Sequence, residues 1–213
     1  MTDTDIYLVP KPSQEQIKSD ISLLIKRYKT TRLTALQLNP AAFGSTHSRE
    51  VQFTDDIWLA RLLNPLSKTL VSVESPAKTA KLADQEWLGT ATVLGPKALS
   101  ETKTLWTVYT RENSNDPPDW PAVKDRNAIY MISGVFVRPG FRQQGRGTRF
   151  IQAIVSAATE EATRAGASKV TVLLEITSEN QAVDRLYQRA GFSAVERGGD
   201  SRRDMVYEGN FVS

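Results

Sequence analysis

The chain has 213 residues, 40% hydrophobic and 24% charged, with a formal net charge of +3; this is the make-up of an ordinary soluble globular protein, long enough for one sizeable core and read as a single domain over 1–213. It has no cysteine and one histidine, which excludes disulfides, a thiolate nucleophile and cysteine zinc sites, and no metal site is expected. A Ser-His-Asp triad or multi-histidine metal site would have to be built around His47 alone, in "AFGSTHSRE", where an isolated exposed or capping histidine is the simpler reading.

The small positive charge admits an anionic ligand without arguing for nucleic acid. No apolar run has the length of a membrane span, and "MTDTDIYLVPKPSQEQ" lacks a basic region followed by an apolar block, so a cytoplasmic protein with no membrane partner is expected.

In chain order, "IYLVP" predicts a short strand ended by Pro10. From Ser13 to Leu38, apolar residues Ile17, Ile21, Leu24, Ile25, Tyr28, Leu33 and Leu36 recur at helical spacing until Asn39-Pro40 stops the pattern. A second helix fits "TDDIWLARLL", with Thr54 as cap and acids in its first turn. Two strands follow, "TLVSVE" and "EWLGTATVLG", joined by a polar segment.

Between Pro96 and Ala128 the pattern weakens: "TLWTVYT" reads as an extra strand and "RENSNDPPDWPAVKDRN" as a loop. A loop of that length is either a mobile surface insertion or a cover for a substrate. The run "AIYMISGVFV" predicts a strand over 128–137, terminated by Pro139 and Gly140. A helix then presents Phe150, Ile151, Ile154, Val155 and Ala158 on one face and stops at Gly166.

"SKVTVLLEI" alternates Val170, Val172, Leu174 and Ile176 with Thr171, Leu173 and Glu175 as a strand. "SENQAVDRLYQRAG" is a short helix capped by Ser178 and ended by Gly191, and "FSAVER" and "RRDMVYEG" close the chain as two antiparallel strands. The resulting class is α/β with a mixed, largely antiparallel sheet.

The chemistry-bearing stretch is "FRQQGRGTRF". A strand, a tight turn and a helix beginning near Gln144 leave backbone N–H groups at the helix start without intrahelical partners, and these, with the helix dipole, suit phosphate oxygens. Gly145 and Gly147 let an anion approach the backbone, and Arg142, Arg146 and Arg149 add positive potential. A Walker loop fails because Arg146-Gly147 stands where Lys-Ser/Thr belongs, and a dinucleotide fingerprint fails because Phe150 stands at the third glycine. A turn that merely joins strand to helix stays open on this stretch alone.

Three segments in order carry a resemblance. "RQQGRG" after "VFVRPGF" is similar to the Arg/Gln-x-x-Gly-x-Gly/Ala signature of the GNAT superfamily of acetyl-CoA-dependent N-acetyltransferases; "LLEITSENQAVDRLYQRAGF" resembles the family's fifth strand and fourth helix; "RLTALQLNPAAFGSTHSRE" resembles its first-helix segment. The resemblance implies a mostly antiparallel sheet of about seven strands flanked by about four helices and splayed between the fourth and fifth strands, with the segment 96–128 as an unusually long insertion.

It also implies acetyl-CoA as cosubstrate. The pyrophosphate would lie over Arg142, Gln143, Gln144, Gly145, Arg146, Gly147 and Thr148, and the pantetheine arm along Val135, Phe136 and Val137. The Val135 amide would stabilise the oxyanion, Glu175 would be the base, Tyr187 the acid for the departing thiolate, and Asn180 a ligand of the arm.

Each residue has a structural alternative: a solvent-facing glutamate, a half-buried helix tyrosine, a capping asparagine. Arg146 departs from the family's usual apolar residue, and would reach towards phosphates or into solvent. Gly134 is read either as a packing glycine or as permitting a bulge. Phe43, Arg49 and Trp120 are the implied acceptor-side residues, with a small-molecule amine favoured over a peptide or lysine, and a homodimer left open. A catalytically silent acyl-CoA-binding module is the competing function.

Overall fold

The computed structural model describes residues 6–11, 21–74, 81–99, 104–105, 107–109, 116–177, 181–195 and 202–211. Seven strands form one sheet in the order β1-β2-β3-β4-β5-β7-β6. They are β1 (Ile6–Leu8), β2 (Ser67–Val73), β3 (Trp87–Ala98), β4 (Asn127–Val137), β5 (Lys169–Thr177), β6 (Ser193–Val195) and β7 (Arg202–Asn210). Each corresponds to a strand expected from the sequence. β1 pairs antiparallel with β2, β5 with β7, and β6 with β7.

β4 and β5 are parallel, from Asn127↔Lys169 to Met131↔Leu173, and each strand runs on past that register, β4 to Val137 and β5 to Thr177. A parallel neighbour is normally covered on both faces, and every residue of β5 from Val170 to Leu174 is buried.

The helices described are α1 (Ile21–Leu38), α2 (His47–Glu50), α3 (Asp55–Leu63), α4 (Trp120–Val123), α5 (Arg146–Arg164) and α6 (Gln181–Arg189). The four long ones were expected, although the residues before Ile21 in the first of them lie outside the described residues. The two single-turn helices were not. α2 forms because Thr46 turns its hydroxyl to accept the Arg49 amide at 3.3 Å, and α4 because Asp119 Oδ1 accepts the Ala122 amide at 3.1 Å with proline inside the first turn. Both are cap-driven turns too short to show a periodic apolar face. α5 starts at Arg146, two residues later than expected, and its Phe150, Ile151, Ile154, Ala158 and Ala162 are buried.

The chain divides into two compact units, 1–92 with 134–150 and 93–133 with 151–213. The first is built around Leu24, Ile25, Trp58, Leu62, Val71 and Trp87. Trp58 is fully buried, edge-on to Tyr28 at 5.8 Å between ring centroids. The second gathers Val108, Ile129, Leu173 and Val206, with Tyr109 packed against them.

The sequence allows an extra strand in "TLWTVYT". Its described residues form a turn instead, the Thr107 amide donating to the Thr104 carbonyl at 3.1 Å. The segment is nevertheless anchored. Tyr109 Oη lies 2.6 Å from the Ile129 carbonyl and 3.0 Å from that of Leu94, one hydroxyl proton serving two acceptors. This part of the insertion, ahead of the loop, is packed core.

Candidate active site

Within the first unit, β4 ends in Gly134–Val137 and is tied to β3 by the Arg138 amide, which donates to the Leu88 carbonyl at 2.8 Å, and by an ion pair between Arg138 and Glu86. Pro139 begins a 3-10 turn closed by the Phe141 amide on the Arg138 carbonyl at 2.9 Å. Arg142 folds back over this turn: Nε donates to the Val137 carbonyl at 2.9 Å and Nη2 to Asn39 Oδ1 at 2.6 Å.

Gln143 and Gly145 then take left-handed φ of 61° and 74° on either side of Gln144. Alternation of this kind makes successive N–H groups converge, a geometry that binds anions. A left-handed glutamine is uncommon and costs on the order of 1–2 kcal/mol, strain of the sort that clusters where a backbone must be shaped for a ligand.

The first bond of the α5 ladder runs from the Arg149 amide to the Gly145 carbonyl at 3.0 Å. The Gly147 and Thr148 amides precede it and make no intrahelical bond. Arg149 Nη1 donates to the Gln144 carbonyl at 2.9 Å, and a Cβ placed on Gly145 would come within 3.0 Å of that same nitrogen. A side chain at 145 would therefore crowd the Arg149 guanidinium. Those features fit a pyrophosphate.

Arg146 differs from its neighbours. Its Nη1 donates to Ser72 Oγ on β2 at 2.7 Å and its guanidinium lies 5.9 Å from the Phe141 ring centroid. Burial, and then the nearby Arg149 charge, lower its pKa. This side chain braces the turn from beneath, a role its place in the hexapeptide did not disclose, because Ser72 is far away in sequence.

Also in the first unit, Phe43 is half-buried beneath the Arg32 guanidinium, 4.8 Å from its ring centroid, and Arg49 is exposed beside Phe53. Apart from the acceptor role of Arg49, the sequence reads Arg49 and Glu50 as a solvated helix start. Glu50 is instead wholly buried, held by Arg32 at 2.9 Å and Arg61 at 2.8 Å. Burial alone would raise its pKa, but hydrogen bonds and charge from both arginines outweigh this and lower it to about 2. Sequence reasoning missed this network, since nothing local marks three residues on three helices as partners.

In the second unit, Tyr187 occupies a specific place in the end of α6. The Phe192 amide donates to the Tyr187 carbonyl and the Gly191 amide to that of Gln188, both at 3.0 Å, and Gly191 has φ +90°. This is a Schellman cap, whose accompanying apolar contact is the edge-on pair of Tyr187 and Phe192, 5.5 Å between centroids. The cap explains the "YQRAGF" spacing and fixes the Tyr187 ring. Burial pushes the Tyr187 phenol above its ordinary pKa, so the proton stays on oxygen at neutral pH.

Arg203 on β7 pairs with Asp184 at 2.8 Å and holds the same helix to the sheet. Glu175 is exposed on β5, in register with Asp204 of β7. Trp120 begins α4 and is 41% exposed, the one acceptor-side candidate in this unit. Asn180 lies outside the described residues. Among the described residues no group of three or more histidine, cysteine, aspartate or glutamate side chains could hold a metal ion, and no helix is long and apolar enough to cross a membrane.

The parallel β4-β5 pair, the strained turn and the helix that follows it define a GNAT α/β fold. Residues 103–192 match the family described as Acetyltransferase (GNAT) family. Among solved structures, NAA60 of Arabidopsis thaliana in complex with a bisubstrate analogue has a TM-score of 0.55 at 13% identity, covering 97% of this chain and 99% of that one. The same protein in complex with acetyl-CoA scores 0.54 at 14% identity, covering 96% and 98%. An acetyltransferase of the GNAT family from Staphylococcus aureus scores 0.51 at 11% identity, covering 95% and 98%. No curated protein matches the sequence. The family match spans residues 103–192, and the solved structures share the fold.

Proposed function

We propose that the chain acts as one catalytic domain that transfers an acetyl group from acetyl-CoA to the primary amine of a small molecule. The observation that carries this reading is the turn from Gln143 to Thr148, whose left-handed residues and leading helical amides form an anion seat at the start of α5. The neighbour in complex with acetyl-CoA supports the choice of nucleotide. In this reading the backbone of 143–148 holds the pyrophosphate, with Arg142 and Arg149 as flanking charge, and Arg146 serves through its amide while its side chain stays on Ser72. Val135, Phe136 and Val137 offer backbone to the pantetheine arm, and Asn180 is assigned to the same arm.

Acetyl-CoA supplies an acyl group activated as a thioester. The chain's own residues then have three tasks. The Val135 amide donates to the carbonyl oxygen as charge develops there, a stabilisation worth more where water is excluded. An exposed carboxylate, Glu175, takes the proton that the attacking amine must lose, directly or through water. Tyr187, protonated and held in place by its cap, gives a proton to the departing sulfur. Phe43, Arg49 and Trp120 are assigned to the acceptor side.

Thiol release from acetyl-CoA, measured with a panel of primary amines, tests the reading. Turnover that depends on the amine and falls at least about a hundredfold in Tyr187→Phe, within the range for loss of a general acid, is expected. Saturable acetyl-CoA binding without turnover on any amine would favour the silent acyl-CoA-binding module instead.

A further inference from the structure

Arg32 is held more tightly than a helix-surface arginine needs to be. Its Nε donates to Glu50 Oε2 at 3.1 Å and its Nη2 to Glu50 Oε1 at 2.9 Å, while Phe43 lies under the guanidinium. Two of its three nitrogens are thereby committed. The third, Nη1, makes no hydrogen bond among the described residues, and it stands beside β4, 3.6 Å from where a Cβ on Gly134 would be. Gly134 has φ +64° and no side chain to cover that nitrogen. The residue that follows it is Val135.

Charge sharpens the picture. Arg32 and Arg61 share the single carboxylate of Glu50, so the cluster carries one net positive charge in a half-buried place. A second ammonium group brought there would be repelled, which disfavours a polyamine. A guanidinium already fixed in a fork loses little freedom on binding, and it forms its strongest hydrogen bonds with an anionic oxygen.

The geometry points to Arg32 as the specificity-determining residue of the acceptor site: its Nη1 binds a carboxylate carried by the acceptor, which is therefore an amine of the amino-acid kind. This rests on the reading of Val135 as the place where acyl transfer occurs. It separates two acceptor classes, because a peptide N-terminus presents an amide where a free amino acid presents a carboxylate. The hydrogen bond to the amide keeps the guanidinium charge but loses that of the carboxylate, and with it the ion-pair attraction.

The test uses a panel of α-amino acids, each beside its own amide, on the CoA-loaded protein, with thermal stabilisation as the binding readout and acetyl transfer from acetyl-CoA as the second. Variants are Arg32→Lys and the double change Arg32→Gln with Glu50→Gln, which removes the charge on this pair, leaves no buried carboxylate unpaired and keeps the cluster's single positive charge, on Arg61. In the unmodified protein at least one acid should bind about tenfold or more tighter than its amide. In the double variant the two should agree within about twofold, with stabilisation by acetyl-CoA unchanged. Arg32→Lys should fall between them.

Equal stabilisation by acid and amide, no stabilisation by either, or a preference that survives the double variant overturns the assignment. Amines acetylated without regard to the carboxylate would leave acyl transfer standing and remove Arg32 from it. An acid that binds through Arg32 but is never acetylated would do the reverse.

Discussion

The Tyr187 ring is seated by the end of its own helix, through Phe192 and the bonds that close on Gly191. Removing the hydroxyl leaves that contact intact, so Tyr187→Phe should change stability by less than about 1 kcal/mol while lowering turnover about a hundredfold or more; thermal melts and thiol-release rates on the same preparation separate the two. Gly145→Ala should do the opposite. It forces a side chain into a left-handed φ and towards Arg149 Nη1, at a cost of about 1–2 kcal/mol, and it should weaken acetyl-CoA binding in a direct titration. Arg146→Met removes the bond to Ser72 but no backbone amide. A lower melting temperature with acetyl-CoA affinity changed less than about threefold is expected, whereas a large loss of affinity would return the guanidinium to the phosphates. The hexapeptide announced the glycines, whose conformational role is local. It could not announce the partner of Arg146, which another strand supplies.

At the scale of elements, the buried Glu50 joins α1, α2 and α3 through Arg32 and Arg61. Its carboxyl titrates at about 2 in the folded chain, against 4.5 for the free group. A depressed folded value stabilises the protein above the unfolded pKa, and that stability is lost as pH falls from about 4.5 towards 2. The contribution is on the order of 3 kcal/mol. Urea unfolding between pH 6 and pH 3 should show more than half of this loss, about 2 kcal/mol, and Glu50→Gln should flatten it. The long elements were legible because each has its own periodicity and its own stop: Asn39-Pro40 after α1, Gly166 after α5, Gly191 after α6. α2 and α4 were not, since a single capped turn carries no period. Their effect is nonetheless large, because α2 turns Glu50 inward from a stretch that reads as solvated.

For the whole molecule, strand number and sheet class followed from the order of apolar runs, whereas the parallel pairing of β4 with β5 was not read from it. The segment 96–128 resisted because its anchors, Val108 and Tyr109, are isolated apolar residues that act through long-range contacts. The three acceptor-side candidates and the two proposed proton carriers come from distant parts of the chain, and only the resemblance joined them.

The turn before α5 as a seat for acetyl-CoA is tested most directly by titrating that molecule into the protein while following its melting temperature. Binding at about a hundred times Kd adds about 2.7 kcal/mol, which for a chain of this size raises the melting temperature by about 5–11 °C. Acetyl-CoA should give a rise of that order that grows with its concentration, ATP a much smaller one, and Gly145→Ala should lose it. No shift with acetyl-CoA, or one that Gly145→Ala leaves untouched, would contradict it.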